Sequence, residues 1–355
     1  MPRLSAIDSV NPAMERVKWM LIPFRFATWL KLGFIGWLAG EMAGGANLNF
    51  PTSFPGRETL PPGGAPSPHF PTGALVAIIA VVLVFVFLLG LVFLYLASRF
   101  RFILFDSVIH GQADIGRGWR SYRDPANRYF GFSLVYAFLS LLIAGLLIGL
   151  PVWSAYKRGV FSSGNVWSIV MLVVWILVTL LVFALISYVI GTAFRDFVAP
   201  LMALDNLRLR EAWSSVWQLM RSEPGAFAAY MGMKILLGIA AGIGMAIATV
   251  VLLLILLVPA VVVVLMLAGL AGVLHSKIAI AGIITVGVVL FLLFVAVMFV
   301  ITLTLQAPIV VFFESYRQYF FAGRYPKLEA LLWPAPPTPP APAAENLTTD
   351  PARRD

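Results

Sequence analysis

Residues 81–96 read VVLVFVFLLGLVFLYL, and residues 250–267 read VVLLLILLVPAVVVVLML; both are apolar on every face. A water-filled β-barrel needs strands of about ten residues that alternate apolar and polar side chains. These runs do not alternate, which excludes the barrel. Working outward, apolar stretches of 16 to 40 residues recur along the 355-residue chain. Stretches of that length can cross a hydrocarbon core of about 30 Å as helices. The chain is 61% apolar and 12% charged, whereas a soluble domain carries roughly 25% charged residues. The fold class expected is therefore all-α, a polytopic helical membrane bundle with amphipathic interfacial helices on one side.

The sequence predicts one integral membrane domain over residues 1–333, with six spans at about 26–44, 74–98, 126–150, 166–190, 226–258 and 280–305. The first doubles as an uncleaved insertion signal, since no small-residue cleavage site follows an unbroken apolar run before Phe24. Before it, Met14, Val17 and Leu21 share one face of a short amphipathic helix, with Asn11 and Pro12 at its start. Residues 45–73, rich in Pro, Gly and Ser, read as a flexible extramembrane loop, and residues 334–355 (PAPPTPPAPAAENLTTDPARRD) as a disordered tail dispensable for the fold. Asp114 is placed to cap a short helix containing Trp119, Asp124 and Pro125 to open the third span, and Glu223 with Pro224 the fifth. Residues 260–275 are apolar but short. They read either as an extension or re-entrant excursion of the fifth span or as a separate span. Glycines four apart at Gly36, Gly40 and Gly44, at Gly145 and Gly149, and at Gly238 and Gly242 mark close helix approach.

Charge sets the expected orientation. Of the 25 Lys and Arg residues, nineteen fall in the terminal segments and in the links after spans two and four, and four (Arg57, Lys157, Arg158, Lys277) fall in the opposite links. By the positive-inside rule both termini are cytoplasmic and the protein is a multi-pass protein of the plasma membrane. The net charge of +9 thus reflects topology and no nucleic-acid partner is implied.

A shift of 94 residues pairs Phe100-Arg101 with Phe194-Arg195, Trp119 with Trp213, Ser121 with Ser215, Gly131 with Gly225 and Tyr136 with Tyr230. This suggests an internal parallel repeat of interfacial helix plus span; a shift of 99 aligns Pro125 with Pro224 instead. Residues 21–40 (LIPFRFATWLKLGFIGWLAG), the Pro/Gly-rich loop, an apolar span and then residues 98–122 (SRFRFILFDSVIHGQADIGRGWRSY) resemble a family of prokaryotic multispan proteins known only as a domain of unknown function. The architecture is also similar to the membrane region of glycerophosphoryl diester phosphodiesterases. The resemblance implies a fold and a location. It supplies no catalytic residues, because the soluble phosphodiesterase domain is lacking.

Chemistry is sparse. Zero cysteines remove thiolate nucleophiles, disulfides and Cys-based metal sites. His69, His110 and His275 are too scattered to share a metal, and no nucleotide-binding, zinc-protease or nucleophile-elbow motif occurs. No catalytic, cofactor or metal residues are assigned, and an enzyme is not expected. Among single charges, Glu41 is placed at the outer end of span one, in solvent or in a polar cavity. Lys234 is expected to snorkel toward the headgroups, and Asp196 to pair locally with Arg195.

The collective signal is basic residues interleaved with aromatics in 98–130, 194–221 and 313–333. Anionic headgroups attract basic residues and aromatic rings settle at the same depth. Arg101, Arg117, Trp119, Arg120, Arg123, Arg195 and Trp213 are the candidate lipid- or partner-facing residues. The expected function is a non-enzymatic module that organises lipids, anionic ones in particular, or a partner protein or second copy of itself. The alternative is a transporter or permease for a small neutral or lipid-like solute.

Overall fold

The computed structural model describes residues 4–41, 72–161, 165–273 and 277–333. The Pro/Gly-rich loop apart from Thr72 and Gly73, the tail 334–355, Gly44, His69 and His275 lie outside the described residues. No strand occurs among those described, and the helices are α1 (Val10–Leu21), α2 (Phe26–Leu38), α3 (Thr72–His110), α4 (Ile115–Ser121), α5 (Arg123–Lys157), α6 (Val166–Ala193), α7 (Ala199–Asp205), α8 (Leu209–Ser222), α9 (Pro224–Val273), α10 (Lys277–Ala322) and α11 (Pro326–Leu332). A π-helical turn, Phe194–Val198, joins α6 to α7.

Among the described residues five helical stretches are long and apolar enough to cross a membrane: Val76–His110, Arg123–Lys157, Val166–Asp205, Pro224–Leu270 and Ile280–Ala322. The expected span at 26–44 is different. Its helix α2 has 13 residues, roughly 20 Å at 1.5 Å per residue, short of the hydrocarbon thickness. It stops where Gly40 adopts φ +74°, a left-handed conformation that ends a helix and favours glycine. Residues 260–273 continue α9 without a break through Pro259, so this piece is an extension and not a separate span.

The long helices overrun their apolar cores. At 39 and 50 residues, α3 and α9 measure roughly 58 and 75 Å. Their outer portions are exposed along their apolar lengths, as suits contact with lipid tails. The inner ends converge. Residues 98–109 of α3 and 192–194 and 196–202 around the π-turn are buried, as are most of 306–322 of α10. Tyr230 of α9 stacks between Tyr316 and Phe320 of α10, at 5.1 and 4.4 Å between ring centroids, and Phe197 packs on Phe227 at 5.0 Å.

Most of 98–110, 194–205 and 313–322, expected as interfacial segments, is thus packed among helices. No helix breaker separates Leu96 from His110, so the apolar helix continues into the basic-aromatic stretch and buries it.

The N-terminal helix, expected to lie on the membrane, is tied to the end of α3. Its Arg16 guanidinium donates to the carbonyls of Val108 (2.7 Å) and Ile109 (2.5 Å), acceptors at the end of α3 that no further helical turn would satisfy. Asn11 is not its cap, because the helix already begins at Val10. Asp114 does cap α4, accepting from the Arg117 amide at 3.0 Å. Helix α2 lies against α10 so closely that a Cβ on Gly33 would sit 1.8 Å from the Leu303 carbonyl oxygen, and one on Gly36 would sit 2.4 Å from a Val310 methyl. The expected glycine stripe is therefore shifted: Gly33 and Gly36 carry the contact and Gly40 serves the turn. Gly145, Gly149 and Gly242 have nothing within 4 Å of an added Cβ, so the packing role expected of those positions is not seen within one chain.

The described ends share one side of the bundle. Arg324 donates to the carbonyl of Leu4 at 3.1 Å and to Glu223 at 3.0 Å.

Candidate functional site

Where the inner ends meet, seven ionisable side chains from five elements gather. Asp196, fully buried, accepts from Tyr230 (2.9 Å), from the Lys234 ammonium (2.5 Å) and from Arg317 (3.5 Å). Glu41, just beyond α2, lies 3.0 Å from Arg317 and 3.7 Å from Arg195. Glu314 pairs with Arg317 one turn away. Arg101 donates to the Tyr129 hydroxyl and, at 3.2 Å, to the carbonyl of Ala39, and its guanidinium lies 5.1 Å from the Tyr129 ring centroid.

These contacts replace three sequence expectations. Glu41 is not at the far end of a span in solvent; it shares a site with the inner ends of α3, α6 and α10, because α2 is too short to carry it across. Lys234 does not snorkel to the headgroups, since its partner is the buried Asp196. Asp196 does not pair with its neighbour Arg195. A π-turn adds one residue per turn, and the two consecutive side chains meet different partners, Arg195 toward Glu41 and Asp196 toward α9 and α10.

Four basic side chains (Arg101, Arg195, Lys234, Arg317) face three acidic ones (Glu41, Asp196, Glu314). Isolated buried charges are costly and persist only when paired and hydrogen-bonded. The network meets that demand unevenly. Among the described residues Arg317 meets all three carboxylates and Lys234 bonds Asp196, whereas Arg195 lies within 4 Å of Glu41 alone and Arg101 of no carboxylate.

Burial by itself would raise the Glu41 carboxyl, but Arg195, Arg317, Lys234 and Arg101 outweigh it and hold it well below its ordinary 4.5. A depressed folded-state value means the carboxylate stabilises the fold fully above the ordinary value, and that contribution fades as pH falls toward the folded value. Glu41→Gln should therefore melt below wild type in detergent at pH 7, and the gap should narrow as pH is lowered beneath about 4. A gap that is constant down to pH 3 would mean that the Glu41 charge contributes nothing.

Beside this network a cavity of about 280 Å³ opens between α3, α5 and α6. Arg101, Arg195 and Tyr129 line it together with the hydroxyls of Ser98, Ser133, Tyr136 and Ser140, and its apolar lining includes Leu94, Ala97, Phe132 and Ala137.

The seven candidate residues divide. Arg101 and Arg195 join the buried network and line the cavity. Arg120 and Arg123 are exposed. Arg117 bonds His110 at 3.0 Å and lies 3.7 Å from Asp106, so part of its role is to hold α4 on α3. Trp119 packs against Phe100 at 6.1 Å under the Arg99 guanidinium. Trp213 stacks on Phe194 at 4.4 Å and 2°. Sequence reasoning singled out Glu41, Lys234 and Asp196 without bringing them together, and missed Glu314 and Arg317. The available signals were the spacings Tyr230/Lys234 and Glu314/Arg317, which share one helix face. Among the described residues no cluster of three or more His, Asp or Glu side chains is arranged to hold a metal.

Comparison with curated proteins and with solved structures finds no match, and the expected likeness to phosphodiesterase membrane regions is not shown. A family model does match, over residues 4–331, which takes in α1 through nearly all of α11 and every residue of the buried network. The chain thus belongs to the family of unknown function DUF7544.

Proposed function

We propose that the protein is a non-enzymatic module of the plasma membrane that gathers anionic lipid at its basic-aromatic rim, with that rim and both termini in the cytoplasm. The observation that carries the reading is the turn between α1 and α2. Trp19, Ile22, Phe24 and Phe26 are 51–68% exposed there, and Lys18 and Arg25 stand exposed among them. Exposed rings and aliphatic side chains beside cations suit the headgroup boundary, where both halves are satisfied. Arg120 and Arg123, and Trp217 with Arg221 packed over it at 4.9 Å, extend the same chemistry around the bundle. The paired packing of Phe100 with Trp119 and of Phe194 with Trp213 supports a duplicated unit behind the two halves of this rim.

The test is the lipid retained by purified full-length protein in mild detergent. Arg120→Gln with Arg123→Gln should weaken retention of phosphatidylglycerol, but not phosphatidylcholine, by up to about thirtyfold at low salt, given about 1 kcal/mol per basic residue. The difference should shrink in high salt. Equal retention of the anionic lipid by a folded variant would reduce these arginines to determinants of topology.

A further inference from the structure

We infer that the cavity between α3, α5 and α6 is a discrete binding site for one anionic amphiphile, its acidic head group seated on Arg101 and Arg195 and its chain leaving between the helices into the inner leaflet. The site is separate from the rim and does not depend on it.

Charge is the first argument. Arg101 is 8% exposed and engages only a phenol and a backbone carbonyl. Its Nε has no hydrogen-bond partner among the described residues. A guanidinium offers five donors, and leaving one unmet in a dry setting costs on the order of 1–3 kcal/mol. Arg195 has one carboxylate at 3.7 Å and is 29% exposed, so its guanidinium remains partly open. The network as a whole carries one more cation than anions. An acidic group placed in the cavity would balance the charge and complete the donor set of Arg101, in the forked geometry that guanidinium gives to carboxylate and phosphate.

Shape and depth supply the second. The Tyr129 hydroxyl meets Arg101, and Ser98 and Ser133 line the same cavity, whereas its Leu94 and Ala137 are apolar and Ala137 is exposed. These residues sit at the inner ends of three stretches apolar enough to span, where head groups of one leaflet reside. A volume of about 280 Å³ is near the lower edge of ligand pockets. It suits a head group and the beginning of a chain, with the remainder among the lipid tails. A free phosphate or carboxylate shares the acidic chemistry but would leave the apolar wall unused.

Native mass spectrometry of the full chain in neutral detergent separates these possibilities. With 1-oleoyl lysophosphatidate as probe, one equivalent per chain should be retained, and neither oleoyl lysophosphatidylcholine nor inorganic phosphate should match it. Arg101→Gln should weaken retention by about tenfold or more. Because that variant alters a buried residue, Ala137→Phe and Ser133→Leu serve beside it; they fill the cavity without touching the ion pairs and should abolish the stoichiometric adduct at unchanged melting temperature. Arg120→Gln with Arg123→Gln should leave the adduct intact, which distinguishes this site from the rim. Retention that persists in folded Ala137→Phe, that is equal for the choline lipid, or that inorganic phosphate reproduces would overturn the proposal.

Discussion

Asp196→Ala should lower the stability of the detergent-solubilised protein by about 3–5 kcal/mol, the loss typical when one partner of a buried ion pair is removed. The carboxylate is fully buried and is the nearest partner of the Lys234 ammonium at 2.5 Å, of the Tyr230 hydroxyl at 2.9 Å, and one of three anions around Arg317. Without it an ammonium and a phenol are stranded in an aromatic core. The loss should be partly reversed in Asp196→Asn with Lys234→Met, which removes one charge of each sign and retains a hydrogen-bonding group for Tyr230. Thermal melting of the three proteins checks this. A change in Asp196→Ala no larger than the about 0.5 kcal/mol usual for surface substitutions would show that water reaches the cluster and shields it.

The second large effect is steric. A single methyl at Gly33 would fall 1.8 Å from a backbone oxygen of α10, which cannot rotate away as a side chain can, whereas the methyl of Gly36→Ala meets the movable Val310 side chain at 2.4 Å. Gly33→Ala should therefore destabilise by at least the 1–3 kcal/mol typical of overpacking, and more than Gly36→Ala. Gly145→Ala, with open space around it, should change little. Equal melting temperatures for Gly33→Ala and Gly145→Ala would show that α2 is not seated against α10.

The apolar runs at 74–98, 166–190 and 280–305 were legible because transfer into lipid dominates any residue-level preference. Each lies inside a helix long and apolar enough to cross. What the sequence hid were the continuations. Phe100 to Ile109 looks amphipathic only if it is assumed to leave the helix; kept in the helix, its Arg101 and Asp106 turn inward with Phe102 and Phe105. The acid–base pairing was hidden for a different reason. Glu41 and Arg317 are 276 positions apart and Asp196 and Arg317 are 121 apart, so no local spacing announces either contact. Span one was overread because apolar composition persists to Gly44, while one left-handed residue at Gly40 had already turned the chain. Arg120 and Arg123, expected to face lipid or a partner, are exposed at the end of the short α4 and the start of α5.

The contact of Arg324 with the Leu4 carbonyl, like that of Arg317 with Glu41, joins the earliest part of the chain to a late one, and this orders the protein's biogenesis. While the ribosome is still making α5 or α9, Glu41 and Arg101 have already been delivered to the membrane without α10, which completes their environment. The nascent protein must hold them in water or in the care of the insertion machinery until residue 317 emerges. A chain interrupted before α10 therefore lacks the Arg317 partner of Glu41, and a completed one supplies it.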